Sequence, residues 1–559
     1  MLHRLPSLLP RRPPPRLPSP RPERQRSPMS DITHAVQDEV APAKPYSYDL
    51  VPYESQPFSQ SEPDQVAAMA RLFGLSPVPP EKARVLELGC SAGGNIIPLA
   101  ARYPGMQVTG IELSRVEVDQ GLEVIKGLGL TNITIRQADI LDVLKEENQY
   151  DYIIAHGVFS WVPEVVQEAI LQICGRQLSG DGVAYISYNV YPGWKMREVI
   201  REMMLFHAGN LTDPKVKLQQ GRAILDYARK INNGDSAFGK LLAQEAELVM
   251  KANDYYLFHD HMEENNRPCY FKDFAARSSK YGVVYLGEAS LVDMAPQRFG
   301  GDIAQTLAML SNGNILATEQ YMDMFTNRMF RQTLLVKEAL MPRINRAVSD
   351  KSVRHLHFTS ELSRGTALDG ALGVFNDRQG RVLTVREPVM LAVADALIQH
   401  APFTTSVEDV LALLRSRGVA AERSDEALIE AIGAQFITLL LQGMVKTRYS
   451  RKTAVPVSDK PVAFGPARFA AAKGQRVVPN TFHGISALND VQSALLAKMD
   501  GTNTVSEVEA SLLARFTQGE FNASRDGSVI TDPPVVADVV KNVTANALAD
   551  FSRGGLLAA

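Results

Sequence analysis

Val85-Leu86-Glu87-Leu88-Gly89-Cys90-Ser91-Ala92-Gly93-Gly94-Asn95 decides the fold. A short apolar run enters a glycine-rich turn, and helical sequence follows from Gly94 to Tyr103. Gly89 permits a sharp turn, Gly93 and Gly94 allow backbone to come close to a ligand, and the helix offers free amides at its N-terminus. This is the strand–turn–helix of a Rossmann-like nucleotide site, with one informative departure. Glu87 stands just before the turn, where it would repel the pyrophosphate of a dinucleotide but suits an ammonium group, and the glycine spacing misses G-x-G-x-x-G.

Working outward, Val108-Thr109-Gly110-Ile111-Glu112 reads as a second strand ending in an acid, followed by Leu113. A carboxylate there can accept both hydroxyls of a ribose. A third strand runs into Ala138-Asp139-Ile140, where a side-chain acceptor can meet the exocyclic amine of adenine, and a fourth into Ala155-His156-Gly157. One glycine turn can be punctuation and one acid a helix cap, but three acids at three successive strand ends form an ordered set. The set points to S-adenosyl-L-methionine (SAM), held by Glu87, Gly89, Ser91, Gly93, Asn95, Glu112, Leu113, Asp139, Ile140 and His156.

Short apolar runs at 84–88, 107–111, 133–135, 150–155 and 183–188, separated by helical stretches, predict a parallel α/β sheet with crossover helices. Strand-like character returns at 283–286 and 332–336, spaced for the closing antiparallel pair of a seven-stranded methyltransferase sheet. The expected organisation is a Pro/Arg-rich disordered N-terminus (1–40), a SAM-binding catalytic domain (41–208), a helical regulatory insertion (209–270), the closing strands (271–340) and two winged-helix-like modules (341–460 and 461–559). Those modules rest on a weak duplication: Val407-Glu408-Asp409-Val410 precedes Leu441-Gln442-Gly443-Met444 as Val505-Ser506-Glu507-Val508 precedes Arg553-Gly554-Gly555-Leu556. Pro63-Asp64-Gln65 opens a lead-in helix with Val66, Met69, Leu72 and Phe73 on one side.

Bulk properties narrow the partners. The 559 residues carry a net charge of -3, and because the first 28 contribute +6 (seven arginines against Glu23) the remainder carries -9. An acidic body lacks the cationic footprint of phosphate-backbone binding, and Asp425, Glu426 and Glu430 make a candidate recognition helix acidic, so nucleic acid is disfavoured. Three cysteines (Cys90, Cys174, Cys269) form neither a disulfide framework nor a zinc site, which places the chain in the cytoplasm. No apolar run approaches the roughly 18 to 20 residues of a membrane span. Nine prolines in residues 1–28 oppose a transit-peptide helix, and Met29 is read as the start.

Several phrases resemble the class I methyltransferases that carry a methyltransferase regulatory domain, a bacterial group including the rickettsial outer-membrane-protein lysine methyltransferases. They are Tyr48-Asp49 with Val51-Pro52-Tyr53, Gly157-Val158-Phe159-Ser160-Trp161-Val162-Pro163, Ser187-Tyr188-Asn189-Val190-Tyr191-Pro192-Gly193-Trp194, Tyr256-Leu257-Phe258-His259, Glu319-Gln320-Tyr321 and Arg331-Gln332-Thr333-Leu334-Leu335. The resemblance implies methylation of lysine ε-amines in a protein, such as a surface or outer-membrane protein. Phe159 and Val190 differ from the group's residues, so the substrate wall is expected to be this chain's own. Tyr53, Asn189 and His156, with Tyr188, are the expected acceptor-pocket residues, and Trp161 and Trp194 are expected as aromatic walls or core anchors. His259, His261, Glu263 and Glu264 sit in an aromatic context that reads as packing, and no metal is expected. The competing readings are a small-molecule methyltransferase, in which the C-terminal modules serve as a lid or in a homodimer, and a SAM-binding scaffold without turnover.

Overall fold

The computed structural model describes residues 49, 51, 53, 55–232, 234–525 and 528–558. The readings made on residues 1–40, on Met29 and on Tyr48 and Pro52 lie outside the described residues. Seven strands form one sheet: β1 (Arg84–Leu88), β2 (Gln107–Glu112), β3 (Ile133–Gln137), β4 (Tyr150–Ala155), β5 (Leu178–Asn189), β6 (Val283–Glu288) and β7 (Phe330–Lys337), in the order β3-β2-β1-β4-β5-β7-β6. β1 to β5 run parallel, and β7 is antiparallel to both of its neighbours. This is the Rossmann-like α/β fold that the sequence predicts. The strand order reverses between β1 and β4, and the crevice outside their carboxyl ends is where such sheets hold ligands.

Alternation along each strand feeds two apolar cores. Val85, Val108, Tyr152, Ile154, Val183, Tyr185, Leu334 and Val336 point to one, while Leu86, Leu88, Ile111, Ile153, Ala155, Ala184, Ile186 and Leu335 point to the other. Burial on both faces explains why these strands read as continuous apolar runs. Glu87 shares its face with Val85, so a carboxylate is committed to the interior.

The lead-in helix Pro63–Leu72 departs from the one-sided pattern expected of it: Asp64, Gln65 and the alanines are buried along with Val66 and Met69. It lies between the sheet and the strand Val445–Arg448, with Gln65 donating to the Ala289 carbonyl at 2.9 Å and accepting from Arg448 at 2.8 Å. The first apolar core extends without a break into residues 353–445, including helices Pro388–His400 and Asp425–Leu441. A separate core gathers Ala467, Val478, Leu496, Leu512, Val540 and Phe551, and another gathers Ile200, Met204, Leu218, Leu225, Leu242 and Val249 of the helical block after β5. The duplicated phrases begin helices Val407–Ser416 and Val505–Thr517 with the same device, a capping box from Ser406 and Asp409 in one and Thr504 and Glu507 in the other. Among the described residues no helix is long and apolar enough to cross a membrane.

The closing pair is fixed by a buried ion cluster. Arg331 of β7, 1 % exposed, reaches Glu288 of β6 at 2.6 Å and Glu319 and Asp323 of helix Ile315–Thr326 at 2.8 Å each, and lies 4.0 Å over the Phe271 ring. Arg328 adds a second cation 3.2 Å from Asp323. Removing the central cation leaves three carboxylates without their main partner in a dry site, a loss of about 3–5 kcal/mol. Arg331→Met is therefore expected to lower the urea midpoint strongly, and to do so equally at low and high salt because buried pairs escape screening. An unchanged midpoint would show that the cluster contributes nothing net.

Candidate active site

A cavity of about 680 Å³ opens at the carboxyl ends of β1, β2 and β4, a size suited to a small-molecule site. Its lining includes Glu87, Gly89, Ser91, Asn95, Glu112, Leu113, Asp139, Ile140, His156, Tyr53 and Asn189. Of the site residues expected from the sequence, Gly93 and Tyr188 are not part of this lining.

Glu87 is 3 % exposed. Its Oε1 accepts from Asn95 Nδ2 at 2.6 Å, while among the described residues no donor reaches Oε2. Burial lifts its carboxyl to about 8, against the lowering effect of the Asn95 bond. A buried carboxylate oxygen without a donor is costly unless a ligand supplies one. Glu112 is held differently: Oε1 accepts from the Leu113 and Ser114 amides at 2.7 and 2.9 Å, and Oε2 from the Ser91 amide at 3.0 Å. Burial raises its carboxyl and the three amides oppose that rise. Asp139 caps the short helix Ile140–Val143 through the Leu141 amide at 2.9 Å, so it is both helix cap and cavity wall.

His156 follows β4. Its Nδ1 lies 3.0 Å from the Tyr185 hydroxyl and its ring 3.9 Å from that of Phe58, and burial brings it down to about 4, so the imidazole is neutral. The Tyr53 amide donates to Glu117 at 2.9 Å, and its ring meets Tyr255 edge-on at 5.4 Å. Asn189 ends β5, with its Nδ2 donating to Asn266 at 3.0 Å. Trp161 and Trp194 pack edge to face at 5.9 Å, and both line the cavity beside Tyr256, Asp260 and Glu263. Burial lifts the Asp260 carboxyl to about 6. His259 also lines the cavity and donates from Nε2 to the Val51 carbonyl at 2.7 Å, whereas His261 does not line it. Among the described residues no three His, Cys, Asp or Glu side chains gather as metal ligands.

Several assignments need correction. Gly93 does not line the cavity: at φ +77° its missing Cβ makes room for Ile135 and Ile97, which a Cβ would meet at 2.5 and 3.0 Å. Gly94 likewise yields its space to the Ser55 backbone, 2.3 Å from where a Cβ would stand, and its amide donates to Ser55 Oγ at 2.7 Å. These glycines admit protein, not ligand. Tyr188 points away from the cavity, stacking on Phe274 at 4.0 Å and pairing with Thr333 at 3.0 Å. Phe159 and Val190 are buried in the second core, so neither forms a substrate wall.

Glu117 is the functional candidate that sequence reasoning missed. Ser114-Arg115-Val116-Glu117 is a capping-box pattern, and the Ser114 side chain does accept from the Glu117 amide at 3.2 Å. Glu112 has already taken the Ser114 amide, so the Glu117 carboxylate is released into the cavity, where burial lifts it to about 7. The cavity is thus strongly acidic, with its lining cation Arg197 occupied by Glu245 at 3.1 Å. An acidic cleft with an unmatched carboxylate fits a ligand that carries an ammonium and a sulfonium.

Comparison with known proteins agrees. A family model described as "Methyltransferase domain" matches residues 85–182, one described as "Predicted methyltransferase regulatory domain" matches 253–337, which includes β6 and β7, and one described as "PKMT, C-terminal winged helix domain" matches 459–556. The uncharacterized protein RP789 of Rickettsia prowazekii is 30% identical over 525 residues, covering 91% of this chain and 93% of that protein. The solved structure of PKMT2 from Rickettsia typhi is 27% identical with a TM-score of 0.79, covering 90% of this chain and 100% of that one, and its complex with AdoHcy aligns with a TM-score of 0.78. AdoHcy is what SAM becomes on giving up its methyl group, and SAM is the cofactor. The chain belongs to the class I SAM-dependent methyltransferases that join a Rossmann-like catalytic sheet to a methyltransferase regulatory domain and a C-terminal winged-helix domain.

Proposed function

We propose that this enzyme methylates lysine ε-amines of a protein substrate in the cytoplasm. The observation that carries the reading is the second end of the cavity, where Trp161, Trp194 and Tyr256 stand with Asp260 and Glu263, an aromatic and anionic surround for an alkylammonium. Likeness to PKMT2 along nearly the whole chain supports it. In this reading residues 41–208 and 271–340 form the catalytic body, 209–270 the helical insertion, and 341–460 and 461–559 the modules that brace it.

In the cofactor half, Glu87 takes the α-ammonium, Glu112 the ribose hydroxyls through its remaining lone pairs, and Asp139 with Ile140 the adenine, while Ser91, Leu113 and His156 complete the wall. Bound SAM supplies an electrophilic methyl carbon on a sulfonium. The protein's task is to deliver a neutral amine in line with that carbon and to exclude water. A lysine begins near 10.4, so the aromatic walls must favour its neutral form by desolvation. Asp260, whose proton affinity burial has raised, takes the proton, and Tyr53 and Asn189 orient the amine by hydrogen bonds.

Three measurements test this. With methyl-labelled SAM and a cell-envelope extract, label should appear as methyl-lysine in protein hydrolysates and vanish with Glu112→Ala; label confined to small molecules would replace the protein reading. Asp260→Asn should lower kcat about 100-fold, the usual worth of a general base, with AdoHcy affinity retained; an unaltered kcat excludes the base role. Finally, Glu87 is mostly protonated at pH 7 in the free enzyme, because its carboxyl stands at about 8, yet it must be ionised to hold an ammonium. AdoHcy affinity should therefore rise with pH, approaching about tenfold per unit between pH 6 and 8, with close to one proton released per ligand in calorimetry at pH 7. Glu87→Gln should flatten that slope, and absence of proton release in the native enzyme would contradict the assignment.

A further inference from the structure

A side chain from the C-terminal segment reaches Asn95, a residue of the cofactor cleft. His483 lies in the turn between strands Val477–Pro479 and Ile485–Ala487, within the residues that match the winged-helix model. It is 2 % exposed, and its Nε2 stands 2.8 Å from Asn95 Oδ1. The turn is built to hold it there: Asn480 Oδ1 accepts from the Phe482 and Gly484 amides at 3.0 and 3.1 Å, the His483 amide donates to the Asn480 carbonyl at 3.1 Å, and His483 adopts φ +58°. Left-handed backbone at a residue other than glycine is uncommon and persists where its surroundings require it.

The amide of Asn95 can be oriented from its neighbours. The Phe58 amide can only donate, and it does so to Asn95 Oδ1 at 2.9 Å, so the other terminal atom is the nitrogen that donates to Glu87 Oε1 and, at 3.1 Å, to Ser61 Oγ. His483 Nε2 faces an acceptor and therefore carries a hydrogen. The surroundings favour a neutral ring: burial brings His483 down to about 3, and Arg102, Lys452 and Arg448 gather with Glu62 nearby, Lys452 and Arg102 pairing with it at 3.0 and 2.8 Å. The chain of donors thus runs in one direction, from His483 to Asn95 to Glu87, ending on the carboxylate whose other oxygen awaits a donor.

We propose that His483 is a positioning residue for the cofactor: by fixing the Asn95 amide it aims Glu87 at the α-ammonium, and through it the C-terminal winged-helix segment sets cofactor affinity. The inference rests on the placement of the ammonium at Glu87 argued above. Packing alone would brace the cleft as a whole, whereas this relay acts on the amino-acid end of the ligand.

Two ligands separate those roles. AdoHcy has the α-ammonium, and 5′-methylthioadenosine keeps the adenosine and thioether but lacks the amino-acid moiety. His483→Ala is expected to weaken AdoHcy binding by up to about tenfold, the upper worth of one neutral hydrogen bond, while 5′-methylthioadenosine changes less than about twofold. His483→Gln, which can return a donor to the same place, should recover AdoHcy binding. His483→Asn tolerates the left-handed backbone but ends short of Asn95, so it should behave as the alanine variant and covers the case in which that variant does not fold. Asn95→Ala with His483→Ala should cost no more than Asn95→Ala alone. Equal losses for both ligands, additive losses in the double variant, or unchanged AdoHcy binding would each overturn the inference. Glu87→Gln keeps the two layers apart: if it fails to lower AdoHcy affinity relative to 5′-methylthioadenosine, the ammonium placement is wrong; if it lowers it and the His483 variants do not, the relay alone is wrong.

Discussion

Glu87 is a carboxylate buried on a strand face that otherwise feeds an apolar core, and most of the site is arranged around that cost. The protein meets half of its hydrogen-bonding capacity through Asn95 and leaves the other half open. Asn95 is in turn held by Phe58 and Ser61 of the lead-in and by His483 from the far end of the sequence. Two distant segments therefore converge on one amide. A ligand cation that stabilises the ionised carboxylate takes over from the proton that Glu87 holds in the free fold, which links cofactor binding to pH and to stability.

The same principle is used in the opposite sense on the other side of the sheet. Around Arg331 the charges are paired within the protein, the guanidinium reaching Glu288, Glu319 and Asp323. The family phrases at 319–321 and 331–335 thus record a structural cluster, in which the acid of one phrase pairs with the arginine of the other. Ion pairs to a buried cation fix β6, β7 and their helix, whereas Glu87 in the cleft has Asn95 and no cation as its partner.

Much of this was legible in the sequence. Strands buried on both faces announce themselves as apolar runs, and Glu87, Glu112 and Asp139 stood out because acids rarely end such runs. The glycines were read with the right conformation but the wrong neighbour: Gly93 and Gly94 make room for Ile135 and Ser55, and only tertiary structure shows what a missing Cβ admits. Tyr188 was misplaced because the face of a strand residue depends on register near the strand end. Glu117 was visible as a capping box, yet its release to the cavity depended on Glu112 taking the Ser114 amide first. No local pattern could connect His483 to Asn95 across 388 residues, nor show that the helices after residue 353 would complete a core begun by the sheet.

The antiparallel pairing of β5 with β7 has a consequence for the order in which the molecule can be made. β5 ends at Asn189, and its partner does not finish until Lys337. At typical synthesis rates of 5–20 residues per second, a nascent chain would carry an unpaired β5 edge for roughly 7 to 30 s, a template for wrong pairing during that time. His483 emerges later still. His483 is made 388 residues after Asn95, so a product truncated between them would hold the recognisable motif without this support.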